Sequence, residues 1–215
     1  SFETPSRVGT VVPKDNQEAV IALEDGIYIL NTSSGRITLL SDVEKEMTYN
    51  RFNDGKCDPN GNLWVGSMHL DQSAPKANLY KVASNGQATK MLDSVTISNG
   101  IVWTADKKTM YYIDTPTGHI RAFDFDHKNS SISNERIAVV IPVSLGFGDG
   151  MTIDEEYNLW VALWNGNGGV RFDPLTGKLL EKIEVPVLDK KFSLAHIGSL
   201  LSNRNPQILW HVLSE

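Results

Sequence analysis

The sequence predicts an all-β chain built from a repeated unit. Three observations predict it: strand-like alternation with little helical periodicity, hairpins closed by tight glycine turns, and the same pattern returning about every 48 residues. Short β-branched or aromatic runs come first, in "NLWVGSM" (62–68), "TMYYIDT" (109–115) and "NLWVALW" (158–164). Each leads to a strand, a turn holding Asn-Gly or Thr-Gly, and another strand, which is the pattern of a hairpin. The instances are "LYKVASNGQATKML" (79–92), "IDTPTGHIRAFDFD" (113–126) and "VRFDPLTGKLLEKIEV" (170–185). Asp58, Asp106 and Asp154 lie 48 residues apart each time, and Trp64, Tyr111 and Trp160 keep nearly the same step. Upstream, "KDNQEAVIALEDGIYILNTSSGRITLL" (14–40) follows the same grammar; downstream, "SNRNPQILWHVL" (202–213) reads as the first strand of one more unit. A constant phase of this length with several strands per unit predicts a β-propeller, one blade per repeat, whereas a β-sandwich has no such phase. The expectation is one propeller domain over residues 1–215 with about four to four and a half blades. An open arc of blades leaves exposed sheet edges, so the chain reads as part of a longer protein.

Composition narrows the function. Hydrophobic residues make up 40% and charged residues 21%, enough apolar surface for a buried core. The net charge is −6 and no stretch concentrates Lys or Arg, which argues against a nucleic-acid partner. No run of about 18 apolar residues occurs, so no membrane partner is expected. The N-terminal "SFETPSRVGT" lacks the basic and apolar regions of a signal peptide, and Cys57 is the single cysteine, so no intrachain disulfide can form.

Three polar clusters stand out, each read as a loop just before a strand lining a central channel: "NRFNDGK" (50–56), "ISNGIVW" (97–103) and "GFGDGMTID" (146–154). Each holds a polar residue followed by glycine, namely Asp54-Gly55, Asn99-Gly100 and Asp149-Gly150. Glycine there permits a sharp turn or a close approach of the backbone to a ligand. Carboxylate and amide oxygens are the ligands of hard divalent cations, so Asp149 and Asn99 suit Ca²⁺ or another divalent ion, and Arg51 suits an anionic or hydroxyl-rich substrate. Ordinary turn chemistry explains any one of these dipeptides; their recurrence at matching places in three repeats points to a site. Asp58, Asp106 and Asp154 read as structural acceptors of turn amides. Trp64, Trp103 and Trp160 read as core, Cys57 as packing, and the five histidines, without metal spacing, as surface or loop residues.

With these residues in place, "NRFNDGKCDPNGNLWVGSM", "ISNGIVW", "YYIDTPTGHIRAFDFD" and "DGMTIDEEYNLWVA" resemble the senescence-marker-protein-30/gluconolactonase/regucalcin family. The resemblance implies a six-bladed β-propeller with one divalent metal ion (Ca, Zn, Mn or Mg) in its channel and hydrolysis of sugar lactones, the cation polarising the lactone carbonyl and activating water. It places Asn99 and Asp149 on two metal ligands, with Asp149 also the catalytic base, and Arg51 and Asn53 on substrate-binding positions. A third protein ligand, a Glu in an early Gly-Glu-(Ser/Gly)-Pro segment, has no counterpart here, and neither Glu3 nor Glu18 stands in that context.

Rival readings are a non-catalytic calcium-binding or protein-interaction propeller, a propeller acting on a different ester, and an inactive fragment of a lactonase. Arg51 with Asn53 separates the first from an enzyme, because a calcium-binding protein has no need of them. The loop "HLDQSAPKAN" (69–78) reads as part of a substrate lid. Low cysteine usage and the family imply a cytoplasmic location; the sequence leaves the oligomeric state open.

Overall fold

The structure, a computed structural model, describes residues 2–184. These contain four four-stranded antiparallel sheets, each a meander in which neighbouring strands are consecutive in sequence. The first holds β1 (Thr10–Pro13), β2 (Glu18–Ala22), β3 (Ile27–Asn31) and β4 (Ile37–Ser41). The second holds β5 (Asn50–Cys57), β6 (Leu63–His69), β7 (Ala77–Val82) and β8 (Ala88–Val95). The third holds β9 (Ser98–Trp103), β10 (Thr109–Asp114), β11 (His119–Asp126) and β12 (Ser131–Val140). The fourth holds β13 (Phe147–Ile153), β14 (Leu159–Trp164), β15 (Gly168–Phe172) and β16 (Leu179–Glu184). The expected further strand at 202–213 lies outside the described residues. The chain divides into two compact units at Ser98/Asn99.

In the first unit, Val12, Ala22 and Ile27 from one sheet pack with Phe52, Leu63, Val65 and Val82 from the next. Glycine sets how closely these sheets approach: a Cβ on Gly9 would lie 2.3 Å from the Phe52 carbonyl oxygen, and one on Gly86 would lie 2.1 Å from that of Leu40. In the second unit, Val102, Tyr111, Ile113, Ile120 and Val139 pack with Met151, Leu159, Val161, Val170 and Phe172. The second strand β6 and the opening strand β9 are buried along their whole length, while the fourth strands β8, β12 and β16 are mostly exposed or half-buried. In the second, third and fourth sheets the last strand is thus the most exposed, as at the outer edge of a propeller blade.

The hairpins at 79–92 and 113–126, and the described part of the third at 170–184, fall where the turns predict them. The polar clusters do not fall in loops. They are the opening strands themselves, β5, β9 and β13. Two of these strands carry bulges, between Phe52 and Asp54 and between Gly148 and Met151. An extra residue at a bulge breaks the period-2 alternation that marks a strand.

The turn acids behave as expected, with one shift. Asp58 accepts from the backbone N–H groups of Asn60 (2.8 Å) and Asn62 (3.0 Å), and its other oxygen accepts from the Trp64 indole at 3.0 Å. Asp154 does the same with Glu156 (3.0 Å), Asn158 (2.9 Å) and the Trp160 indole (3.1 Å). In the third sheet, the residue that opens the equivalent turn is Thr104, bonded through its N–H to the Thr109 carbonyl. Asp106 sits further along and accepts from the Thr104 hydroxyl and the Lys108 N–H. Trp64, Trp103 and Trp160 are buried, and Cys57 packs against the first unit's core. Of the histidines, His69 is not a surface residue: it is buried at the end of β6, with the Tyr49 ring stacked on it.

Candidate functional site

In the second unit the structure brings Asn99 and Asp149 together. Asn99 lies on β9, buried, and Asp149 lies on β13 at the bulge. The two strands approach closely because Gly100 has no side chain: a Cβ there would meet the Met151 Cβ at 2.5 Å and the Asp149 carbonyl oxygen at 2.9 Å. The glycine after Asn99 therefore serves a close approach of two strands, not a turn. Asn99 Nδ2 donates to the hydroxyl oxygen of buried Thr115 at 2.8 Å. Thr115 in turn donates to the backbone carbonyl of Gly148, the residue before Asp149, also at 2.8 Å.

The electrostatics of Asp149 follow from this placement. Burial pushes its carboxyl above the ordinary aspartate range, opposed by hydrogen bonds from the Gly150 N–H and the Asn99 side chain. Burial disfavours the charged form of a carboxylate, and two neutral dipoles offset only part of that. A divalent cation placed against such a group relieves the remainder. Asn99 thus uses its amide group as a donor, to Thr115 and to Asp149. One carboxylate and one amide oxygen are the donors a hard cation takes, so these residues fit the ion in kind. Among the described residues, no group of three or more His, Cys, Asp or Glu side chains is placed to hold a metal.

In the first unit, Arg51 and Asn53 lie on β5, on either side of core residue Phe52. Strand alternation turns Arg51 away from the core that Phe52 enters, whereas Asn53 is the extra residue of the β5 bulge. The Arg51 guanidinium donates to the Phe52 carbonyl at 2.9 Å, and Asn53 Nδ2 donates to the Ser98 carbonyl at 2.7 Å. Burial and the nearby Arg7 charge lower the pKa of Arg51, with Glu24 opposing them. Asp54 is not the corner of a turn: its carboxylate accepts the Gly55 N–H at 2.8 Å within the strand.

Two functional features went unnoticed in the sequence. One is Thr115, whose "DTPTG" context reads as a turn and nothing more. The other is Glu44, a buried carboxylate in the left-handed region, with φ 64°. It accepts from Asn78 at 2.8 Å, Ser67 at 2.9 Å and Asn50 at 3.2 Å. Asn50 directly precedes Arg51, so Glu44 anchors the start of the strand that carries Arg51 and Asn53. Burial and then the Glu44 charge push the Tyr80 phenol up.

An all-β chain of four-stranded blades with an Asn–Asp oxygen pair on two opening strands defines a class of protein, and the comparisons name the family. Residues 1–200 match the model of the SMP-30/gluconolactonase/LRE-like region, and the chain belongs to that family. It is 40% identical over 175 residues to regucalcin of Oryctolagus cuniculus, covering 79% of this chain and 58% of that protein. It is 34% identical over 186 residues to the Bacillus subtilis protein named "Putative sugar lactone lactonase YvrE", covering 86% of this chain and 64% of that one. The crystal structure of a calcium-binding protein, regucalcin from Agrobacterium tumefaciens, superposes with a TM-score of 0.80 at 27% identity, covering 85% of this chain and 61% of that one. The chain thus spans less than two thirds of each of these three relatives. Among the described residues no helix is long and apolar enough to cross a membrane.

Proposed function

We propose that this chain supplies part of the active site of a metal-dependent sugar-lactone hydrolase, with Asn99 and Asp149 as metal ligands. The observation that carries the reading is the pairing of buried Asn99 with half-buried Asp149, whose carboxyl is destabilised in its charged form by the burial it has. A divalent ion held by Asn99 and Asp149 would supply Lewis-acid polarisation of the lactone carbonyl and would lower the pKa of water. Asp149 accepts a proton from the attacking water as its oxygen bonds to the lactone carbon. The ring C–O bond then breaks, the ring oxygen takes the proton back from Asp149, and an open-chain hydroxy acid leaves. Arg51 and Asn53 hold sugar hydroxyls in the reactive orientation, which raises rate by positioning.

The experiment is hydrolysis of D-glucono-δ-lactone by the chain after chelation, then after return of Ca²⁺, Mn²⁺, Zn²⁺ or Mg²⁺. The expected result is a rate that vanishes with chelator and returns with metal. Asp149→Ala is expected to lower kcat by at least ~10²-fold as a lost general base. Arg51→Ala is expected chiefly to raise KM, by about tenfold or more for a lost charge-assisted hydrogen bond. Metal binding without hydrolysis of any lactone would favour the second reading, a calcium-binding propeller, which the calcium-binding regucalcin of Agrobacterium tumefaciens supports.

A further inference from the structure

We infer that Thr115 is a positioning residue for the metal site, fixing the orientation of the Asn99 amide and the path of the backbone into Asp149 through one hydroxyl group. The inference rests on the metal-site reading above.

The argument begins with how a hydroxyl bonds. It has one hydrogen to donate and lone pairs to accept. The Thr115 hydrogen goes to the Gly148 carbonyl at 2.8 Å, so toward Asn99 the oxygen can only accept. Asn99 must therefore present its Nδ2 hydrogen to Thr115, again at 2.8 Å, and turn Oδ1 elsewhere. Thr115, together with the Asp149 carboxylate, thereby decides which end of the Asn99 amide a cation meets. A carbonyl oxygen binds a cation, whereas an amide nitrogen carrying hydrogens repels it.

The second bond reaches the other ligand. Gly148 lies on one side of the bulge that re-aims β13, and Asp149 follows it. Tying the Gly148 carbonyl to Thr115 holds that bulge against the turn that follows β10. Bulges redirect side chains and need a partner for the displaced backbone groups.

Thr115 is itself well held. It opens a one-turn 3-10 helix, Thr115–Thr117, with proline next in sequence and Gly118 closing it at φ 65°. The Thr117 hydroxyl donates to the Asp114 carbonyl at 2.7 Å, and the Ile141 N–H donates to the Gly118 carbonyl at 2.8 Å. The proline ring limits φ, so the turn has little freedom to carry the hydroxyl away. A buried hydroxyl with both bonds made, on a rigid turn, is the form that a support for metal ligands takes.

The test is calorimetric titration of the metal-stripped chain with Ca²⁺ and with Mn²⁺, using wild type, Thr115→Val and Thr115→Ser. Valine keeps the shape and removes both hydrogen bonds; serine keeps both bonds and removes the methyl. We expect Thr115→Val to weaken metal binding by about 10–100-fold, with Thr115→Ser within about threefold of wild type. Equal binding by Thr115→Val and wild type would overturn the inference, as would Thr115→Ser being as weak as Thr115→Val, since packing and not the hydroxyl would then be responsible. Wild type binding neither ion would overturn the metal reading itself and Thr115's role with it, an outcome separate from the first two. If Thr115→Val does not fold, the side-chain NH₂ resonances of Asn99 in metal-free wild type decide. Slow exchange with solvent relative to exposed Asn85 supports the inference, and equal exchange overturns it.

Discussion

Asp58 shows how one side chain closes a hairpin and fixes an aromatic core residue. One oxygen gathers the Asn60 and Asn62 amides, and the other takes the indole N–H of Trp64, which is fully buried. Burial alone would raise its pKa, but the bonds from Asn62, Trp64 and the turn amides outweigh burial and lower it. A carboxyl with a lowered folded pKa adds stability that is fully present above the unfolded value, about 4, and is lost as pH falls through the folded value. Stability of the first unit is therefore expected to fall in urea titrations as pH drops below about 4. Asp58→Asn is expected to flatten that acid dependence while destabilising the unit by about 1–3 kcal/mol, because an amide nitrogen then faces a turn N–H or the indole N–H. An acid profile in Asp58→Asn identical to wild type would assign the effect to other carboxylates. This role was legible in the sequence, since every partner lies within six residues of Asp58. The 48-residue phase misplaced its counterpart in the third sheet, where Thr104 opens the turn and an acid two positions on supports it.

Among the elements, β5 and its neighbours depend on Glu44. Its carboxylate receives donors from β5 (Asn50), β6 (Ser67) and β7 (Asn78), so one group spans three strands of a sheet. Removing it leaves buried donors without an acceptor, which costs more than the net worth of the bonds. Glu44→Ala is expected to lose about 3–5 kcal/mol, against a smaller loss for Glu44→Gln, which keeps one acceptor oxygen. Equilibrium unfolding in urea reads the difference, and equal losses for the two variants would show that side-chain volume matters more than the acceptor. Neither Glu44 nor Thr115 was legible in the sequence, and for the same reason: Glu44 and Asn78 are 34 residues apart, and Thr115 and Gly148 are 33 apart. Local pattern carries no information about such pairs. The second and third strands of the blades were legible because β-branched and aromatic runs alternate there. The opening strands were not, because glycines and bulges interrupt the alternation in the segments that bring Asn99 and Asp149 together.

At the scale of the whole molecule, the chain falls into two units that divide at Ser98/Asn99, and the proposed metal ligands both belong to the second. A ligand that binds only the folded form stabilises whatever must be folded to bind it, by about 2.7 kcal/mol when its concentration is 100 times its Kd. Asn99, Thr115, Gly148 and Asp149 join β9, β13 and the turn after β10, so metal must stabilise that part of the second unit. Hydrogen exchange can follow this region by region, because local openings differ in free energy. On adding Ca²⁺ to metal-stripped protein, amides of β9 and β13 are expected to slow, whereas those of β2 and β3 in the first unit are expected to stay unchanged. Slowing confined to β2 and β3 would move the ion away from Asn99 and Asp149. Equal slowing everywhere would mean that the two units unfold as one, so that ligand binding at one end of the chain protects the other.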